Sequence, residues 1–150
     1  MKLDSRQVGD LIKLSEDRGE VVNLEGQDIS LLGLVDADLK GAIFRDAKLV
    51  ETNLSGAKLN DADFTGSDLT EASFFHADLR GANLSNTYMF QTTLREANLE
   101  GAILRNARLN GADFYQAKLT GINLEGAQYN QRTKWPVDFD PQAAGAIYTL

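Results

Sequence analysis

Three aspartates and a histidine lie close enough together in the sequence to suggest acid–base or metal chemistry. Asp63, Asp68 and Asp78 fall within one short stretch, and His76, the only histidine of the chain, stands just before the last of them. Paired carboxylates can act as general acid and base, and a histidine among carboxylates can bind a metal ion. Either chemistry requires these side chains to converge on one point, so the elements that carry them must be found first.

The stretch around these residues has a period of five. In ADFTGSDLTEASFFHADLRGANL (62–84), a Leu or Phe occupies every fifth position. An α-helix repeats its buried face every 3.6 residues and a strand every two, so neither element, continued straight, fits this period. The chain must therefore turn a corner once in each unit.

The period holds for most of the chain. From Leu24 to Tyr129 the central position recurs in 22 units without insertion, and it holds Leu in 15 of them and Phe in four. Ala occupies 14 of the positions two residues earlier, on the same side of an extended backbone, so both residues should point inward. Nine of the 13 glycines stand two residues after the centre, where a corner needs unusual backbone angles.

Charges predict how many sides each coil has, because like charges should not stack at the strand spacing of about 4.8 Å. With 20 residues per coil, the outward positions give seven pairs of opposite charge and no like pair, although Glu51 stacks on Glu71 in the corner row. Coils of 15 residues give two pairs of each kind, and coils of 25 give like pairs only. The sequence therefore predicts four sides. The seven pairs are Asp28–Lys48, Lys48–Asp68, Asp38–Lys58, Lys58–Asp78, Glu25–Arg45, Arg80–Glu100 and Arg105–Glu125.

The units ADLKG, ADFTG, ADLRG, ANLSN, ANLEG and ADFYQ resemble the pentapeptide-repeat family, over residues 22–131. The resemblance implies an all-β fold, a right-handed quadrilateral parallel β-helix, here of about 5.5 coils. The departures lie mainly near the ends, at Gln27, Leu32, Ile122 and Tyr129, with Thr87 and Met89 in the middle. We expect one domain, 1–150, with an N-terminal cap (1–21), repeat coils (22–131) and a C-terminal cap (132–150).

Both flanking segments are predicted to cover an open end of the coils. Val8, Leu11 and Ile12 share one helical face, with Asp4 or Ser5 to begin the helix and Gly19 to end it. In the last segment we expect Trp135 and Phe139 to plug the final coil, and Asp140 and Pro141 suit the first turn of a short helix. The stretch WPVDFDPQAAGA resembles the tail of many cyanobacterial pentapeptide-repeat proteins.

Four-sided coils argue against the chemistry considered first. They place Asp63, Asp68 and Asp78 on three different sides, so a structural role in bonding corner backbone groups is the better interpretation. His76 falls at a corner, and the chain has no Cys and no second His to complete a metal site. We therefore assign no catalytic, cofactor-binding or metal-binding residue and expect that the protein is not an enzyme.

An aromatic patch is the candidate functional surface. Phe75, Arg95 and Tyr115 are predicted at the same outward position of successive coils, and Tyr88 and Phe90 point outward on the neighbouring side. One interpretation is a guanidinium sandwiched between two rings, with no partner. The other is a face that binds a protein partner or a second copy, because aromatics and Arg are enriched at interface cores.

These features favour a non-catalytic interaction module whose protein partner is unknown, as a monomer or weak homodimer. The net charge of −7 argues against direct binding to nucleic acid, and the absence of a long apolar run or of a signal-peptide pattern favours a cytoplasmic protein that does not enter a membrane. The family resemblance adds an alternative, an acidic DNA mimic that binds DNA gyrase. Residues 22–131 sum to a charge of −6, against roughly 15 for duplex DNA of that length, which weighs against the mimic.

Overall fold

The backbone forms a stack of four-sided coils. In the computed structural model, which describes residues 1–150, every β-bridge from Asn23–Ile43 to Arg108–Gln128 is parallel and joins residues 20 apart. The predicted 20-residue coil is therefore confirmed. Each side contributes a single bridged residue, and turns occupy two of its five positions. Continuous strands are limited to β1 (Gln128–Tyr129) and β2 (Ile147–Tyr148), which pair in parallel.

One hydrophobic column fills the coils from end to end. The central Leu and Phe side chains from Leu39 to Phe114 are at most 1% exposed, and the inward alanines from Ala42 to Ala112 are equally buried. The rings of Phe44 and Phe64 stack with centroids 4.6 Å apart, and Phe74 meets Phe64 edge-on at 5.7 Å. Large and small residues two apart thus point inward together, as the sequence predicted.

The corners adopt the left-handed backbone conformation whether or not the residue is glycine. Positive φ angles recur at every fifth residue from Gly26 (70°) to Gly126 (73°), and non-glycine corners such as Asp46 (54°) follow the same rule. The corner amide hydrogen-bonds to the next coil: the Asp46 N–H donates to the Thr65 carbonyl at 2.9 Å. The inter-coil hydrogen bond offsets the strain of a left-handed non-glycine residue.

A helix precedes the coils, as predicted. Helix α1 (Ser5–Arg18) begins after Asp4, whose side chain accepts from the Gln7 amide at 2.8 Å, and ends at Gly19 (φ 64°). Val8 is fully buried within the cluster that forms the coil core. The segment before the helix was not predicted: Lys2 forms a parallel bridge with Asp28 and adds a partial coil. No helix has the length and apolar character that crossing a membrane requires.

The short helix expected at Asp140–Pro141 is not formed. Asp140 does accept hydrogen bonds from two following amides, but residues 141–145 form turns that Gly145 (φ 102°) closes before strand β2. The stack also continues past residue 131, because Lys134 forms a bridge with Asp113 at a spacing of 21 residues. One extra residue places Trp135 over the ring of Phe114, with centroids 4.8 Å apart.

The inward hydroxyls of Ser67 and Thr92 make opposite contributions to the stability of the coils. Ser67 Oγ is buried and has no hydrogen-bond partner, whereas Thr92 Oγ1 donates to the Leu69 carbonyl at 2.8 Å. A buried hydroxyl without a partner costs about 1–3 kcal/mol. We expect Ser67→Ala to raise the free energy of unfolding by about 1 kcal/mol and Thr92→Val to lower it by about 1 kcal/mol, both measured by urea denaturation. A loss of stability in Ser67→Ala would contradict this assignment.

Candidate interaction surface

The aspartates before the centres are structural, as expected. Asp63 and Asp68 each accept two hydrogen bonds from the threonine two residues ahead, one from its amide at 3.0 Å and one from its hydroxyl at 2.6 Å. Asp78 binds the Arg80 guanidinium and lies on a third side. Each carboxylate accepts hydrogen bonds from the residue two positions ahead of it on its own side of the coil. The three aspartates therefore provide no shared acid–base site.

The surface charges follow the predicted rows but not every predicted pair. Arg105 and Glu125 do form an ion pair, at 3.5 Å. Arg45 instead approaches Asp63 at 3.8 Å, and Arg80 binds Asp78 of its own coil at 2.6 Å. Arginine side chains reach several neighbours from one position, so a row of opposite charges fixes the coil register without fixing the partner of each charge.

The contact between Arg80 and Asp78 yields a titration prediction. The Arg80 guanidinium hydrogen-bonds the Asp78 carboxylate and lowers the pKa of Asp78 below its ordinary value. We expect Arg80→Gln to raise this pKa, measured by carbon NMR of the carboxyl group. A depressed pKa contributes stability above the ordinary pKa, which is lost as the pH falls through the folded value, so wild type and variant should converge in stability in acid.

An internal control for this titration is available at the N-terminal end. The pKa of Asp28 is also lowered, chiefly by the hydrogen bond from the Ser30 amide. This contact does not involve Arg80, so the pKa of Asp28 should not move in the Arg80→Gln variant. Equal shifts at Asp28 and Asp78 would instead indicate a general effect of the changed net charge.

His76 contacts a carboxylate of the next coil rather than standing alone in solvent. Its Nε2 lies 3.0 Å from Glu96 Oε2 of the next coil, and its ring packs edge-on against Phe75 with centroids 4.2 Å apart. The two corner residues are exposed and 20 positions apart. The contact ties together neighbouring coils at this corner.

The predicted patch separates into two groups on adjacent sides. On the Tyr115 side, whose centres include Phe74, Leu94 and Phe114, the guanidinium of Arg95 lies 4.5 Å from the ring centre of Tyr115 and binds Asp113 at 3.0 Å. Arg95 makes no cation–π contact with Phe75, so the expected sandwich between two rings is wrong. Asp113 explains the difference because it draws the guanidinium toward the later coil.

The second group contains an arginine that the sequence analysis missed. On the Tyr88 side, whose centres include Leu69, Met89 and Leu109, the rings of Tyr88 and Phe90 lie 6.4 Å apart, and Arg108 stacks 5.2 Å from the Tyr88 ring centre. The coil register could have revealed Arg108, since it stands 20 residues after Tyr88. No ring pair or cation–π contact joins this group to the first.

Open cavities flank the Tyr88 side along both of its corners. The first, of about 330 Å³, includes Tyr88 and Arg108 in its lining. The second, of about 250 Å³, includes Phe90 and Arg132. Each cavity also has three amide side chains in its lining: Asn86, Asn106 and Gln128 in the first, and Gln91, Asn110 and Asn130 in the second.

A stack of 20-residue parallel coils around a Leu and Phe column defines the protein as a four-sided β-solenoid. The family model for pentapeptide repeats matches eight copies, over residues 47–86 and 92–127, so the chain belongs to the pentapeptide repeat family. Membership implies a right-handed quadrilateral β-helix and indicates a structural or interaction module rather than an enzyme.

One solved structure supports this fold, and two others are similar to the chain at lower TM-scores. Rfr23, a pentapeptide repeat protein from the cyanobacterium Cyanothece 51142, is 23% identical, with a TM-score of 0.52, over 85% of this chain and 98% of that one, and shows the same fold. A pentapeptide repeat protein from the Arabidopsis thaliana thylakoid lumen is 33% identical, with a TM-score of 0.45, and the match covers 73% of this chain but only 66% of that one. QnrB1, a plasmid-mediated fluoroquinolone resistance protein, is 17% identical, with a TM-score of 0.42. That match covers 85% of this chain and 79% of QnrB1. Comparison with curated proteins gives no match.

Proposed function

We propose that the protein is a non-catalytic module that binds a protein partner through the aromatic patch. The observation that carries the proposal is the exposure of rings that the fold does not need: Phe75, Tyr88 and Tyr115 are 38%, 41% and 43% exposed. The column of centres already supplies the core, so these rings add little to folding. Exposed aromatics beside arginine have the composition of an interface core.

The coils suit this role because they present the rings on a rigid backbone. The amides of each coil donate to carbonyls of the next at distances near 2.9 Å, as Asp46 does to Thr65 and Glu96 to Tyr115. A surface that is ordered before binding loses little conformational entropy when a partner docks. Both aromatic groups lie within coils held in this way, so we expect binding without rearrangement.

The charge arrangement does not favour the gyrase-binding alternative. Acids and bases alternate along the bridged rows, as in Asp28–Lys48–Asp68 and Asp38–Lys58–Asp78. A mimic of duplex DNA requires uniformly negative rows with roughly one charge per 1.7 Å. We therefore expect that micromolar protein neither inhibits supercoiling by gyrase nor protects gyrase from quinolones. Either effect would support the gyrase-binding alternative.

Partner capture with matched variants tests the proposal. The test variant is Phe75→Ser, Phe90→Ser, Tyr115→Ser, which removes rings of both groups. The control is Val35→Ser, Ile43→Ser, Ile103→Ser, which removes three outward apolar side chains elsewhere on the coils. Immobilised on beads and exposed to an extract of the source organism, wild type and control should retain a partner that the test variant loses. Equal recovery by all three, with equal thermal stability, would remove the patch from the proposed function.

A further inference from the structure

Two arginines that no acid neutralises lie near the C-terminal half of the Tyr88 side, Arg108 on it and Arg132 past its corner. In the bridged row of this side, Lys48 lies between Asp28 and Asp68, whereas Arg108 lies between Tyr88 and Gln128. Arg132, beyond the next corner, is exposed and likewise makes no ion pair. On a molecule of net charge −7, this region is therefore locally cationic.

The two arginines line different cavities, and each cavity also includes one of the paired rings. Arg108 lines the cavity of about 330 Å³ with Tyr88, and Arg132 lines the cavity of about 250 Å³ with Phe90. The ring pair, with centroids 6.4 Å apart, therefore links the two cavities. A ligand that crosses this side would thus meet a cation, an aromatic platform and a second cation in that order.

The other lining groups suit a polypeptide backbone. Asn86, Asn106 and Gln128 line the first cavity, and Gln91, Asn110 and Asn130 line the second. Amide side chains both donate and accept hydrogen bonds, as a peptide group does. Glu71 is the only acid among the lining residues of either cavity, so a carboxylate of a ligand would meet little repulsion there.

We propose that this region binds an extended acidic segment of the partner, an inference that rests on the proposed function and names the chemistry of the partner. The segment has the form acid–x–apolar–x–acid. Alternate residues of an extended chain point to one face, so its two carboxylates lie about 13 Å apart with the apolar side chain between them. The carboxylates then reach Arg108 and Arg132 while the apolar side chain packs on Tyr88 and Phe90. Complementary charge is the basis for this choice of partner.

A peptide titration followed by NMR tests the inference. The probe is an acetylated and amidated peptide, Ser-Gly-Asp-Thr-Leu-Thr-Asp-Gly-Ser, and the matched probe carries Asn in place of both Asp. With isotope-labelled protein, the acidic probe should cause saturable shifts of the Tyr88 and Phe90 amides and of the Arg108 and Arg132 side-chain NH groups. The Asn probe should bind roughly tenfold more weakly.

Two pairs of substitutions separate this site from general attraction. Arg108→Gln with Arg132→Gln should weaken the acidic probe roughly tenfold. Arg45→Gln with Arg105→Gln removes the same charge from arginines paired with Asp63 and Glu125, and should leave binding unchanged. Absence of saturable shifts, equal binding of the two probes, equal loss in both variants, or the same shifts with inorganic phosphate alone would overturn the inference.

The partner itself distinguishes failure of this inference from failure of the proposed function. If a captured partner is lost with the three Ser substitutions of the patch but retained with Arg108→Gln and Arg132→Gln, the interaction module stands and the acidic segment is wrong. If the Ser variant retains every partner while the acidic probe still binds at Arg108 and Arg132, the proposed patch is wrong and this site stands by itself.

Discussion

Phe64→Ala is expected to lower the free energy of unfolding by about 3–5 kcal/mol. Phe64 is fully buried, stacks on Phe44 of the preceding coil at 4.6 Å and meets Phe74 at 5.7 Å, so its removal opens a cavity between two other rings of the column. The coils cannot close this cavity, because corner hydrogen bonds at every fifth residue hold their spacing. Urea denaturation followed by circular dichroism measures the loss.

A conservative substitution provides the control for this prediction. Phe64→Leu places in the column the residue that most other centres carry, and we expect a loss under about 2 kcal/mol. Thr65→Ala changes the next residue, which is outside the column, and should cost no more than about 1 kcal/mol through its hydrogen bond to Asp63. If Phe64→Ala costs less than Thr65→Ala, the column is not the main source of stability.

Trp135→Ala is expected to destabilise the C-terminal end by about 3 kcal/mol. The indole stacks on Phe114 at 4.8 Å and also contacts Tyr129 and Phe139, with centroids 5.5 and 5.3 Å away. Its Nε1 has no hydrogen-bond partner, so the loss comes from packing alone. Each coil contacts only its neighbours, so amides of the last coils should lose hydrogen-exchange protection first.

Hydrogen exchange also supplies the outcome that would contradict this prediction. Uniform loss of protection along the coils would show that Trp135 stabilises the whole stack rather than its end. Tyr148→Ala is the matched control, since Tyr148 is 44% exposed and contacts Tyr129 at 5.5 Å. We expect it to cost about 1 kcal/mol, because an exposed ring buries less apolar area.

The sequence predicted the coil well because its main signal is periodic. A buried centre every five residues and charge pairs every 20 residues are repeated many times, so chance errors at Met89 or Tyr129 do not disturb the register. The helix before the coils was equally predictable from the capping residue Asp4 and the closing Gly19. The partial coil at Lys2 was missed because the inserted helix separates it from Asp28 by 26 positions rather than 20.

Features outside the repeat were harder to predict, each for a physical reason. The single extra residue before Lys134 shifts the final coil, and no periodic signal marks it. The expected helix after Asp140 was wrong because Gly145 and the pairing of strand β2 leave room only for turns between Asp140 and that strand. On the surface, the repeat places Arg95 within reach of rings on both adjacent coils, and only the position of Asp113 decides between them.

Because every five-residue unit ends in the same kind of corner, the aromatic patch can change when units are gained during evolution. Each five-residue unit advances the chain by a quarter turn, and most units carry an inward Ala and most an inward Leu. Duplication of one unit between Phe75 and Arg95 would leave the column filled yet carry Arg95 and Tyr115 to the adjoining flank, away from Phe75. Duplication of four units would instead only separate the rings along the axis. The core thus tolerates insertion of whole five-residue units, although each insertion moves the surface side chains that follow it to a different side. Related chains can therefore share a core while presenting unrelated surfaces.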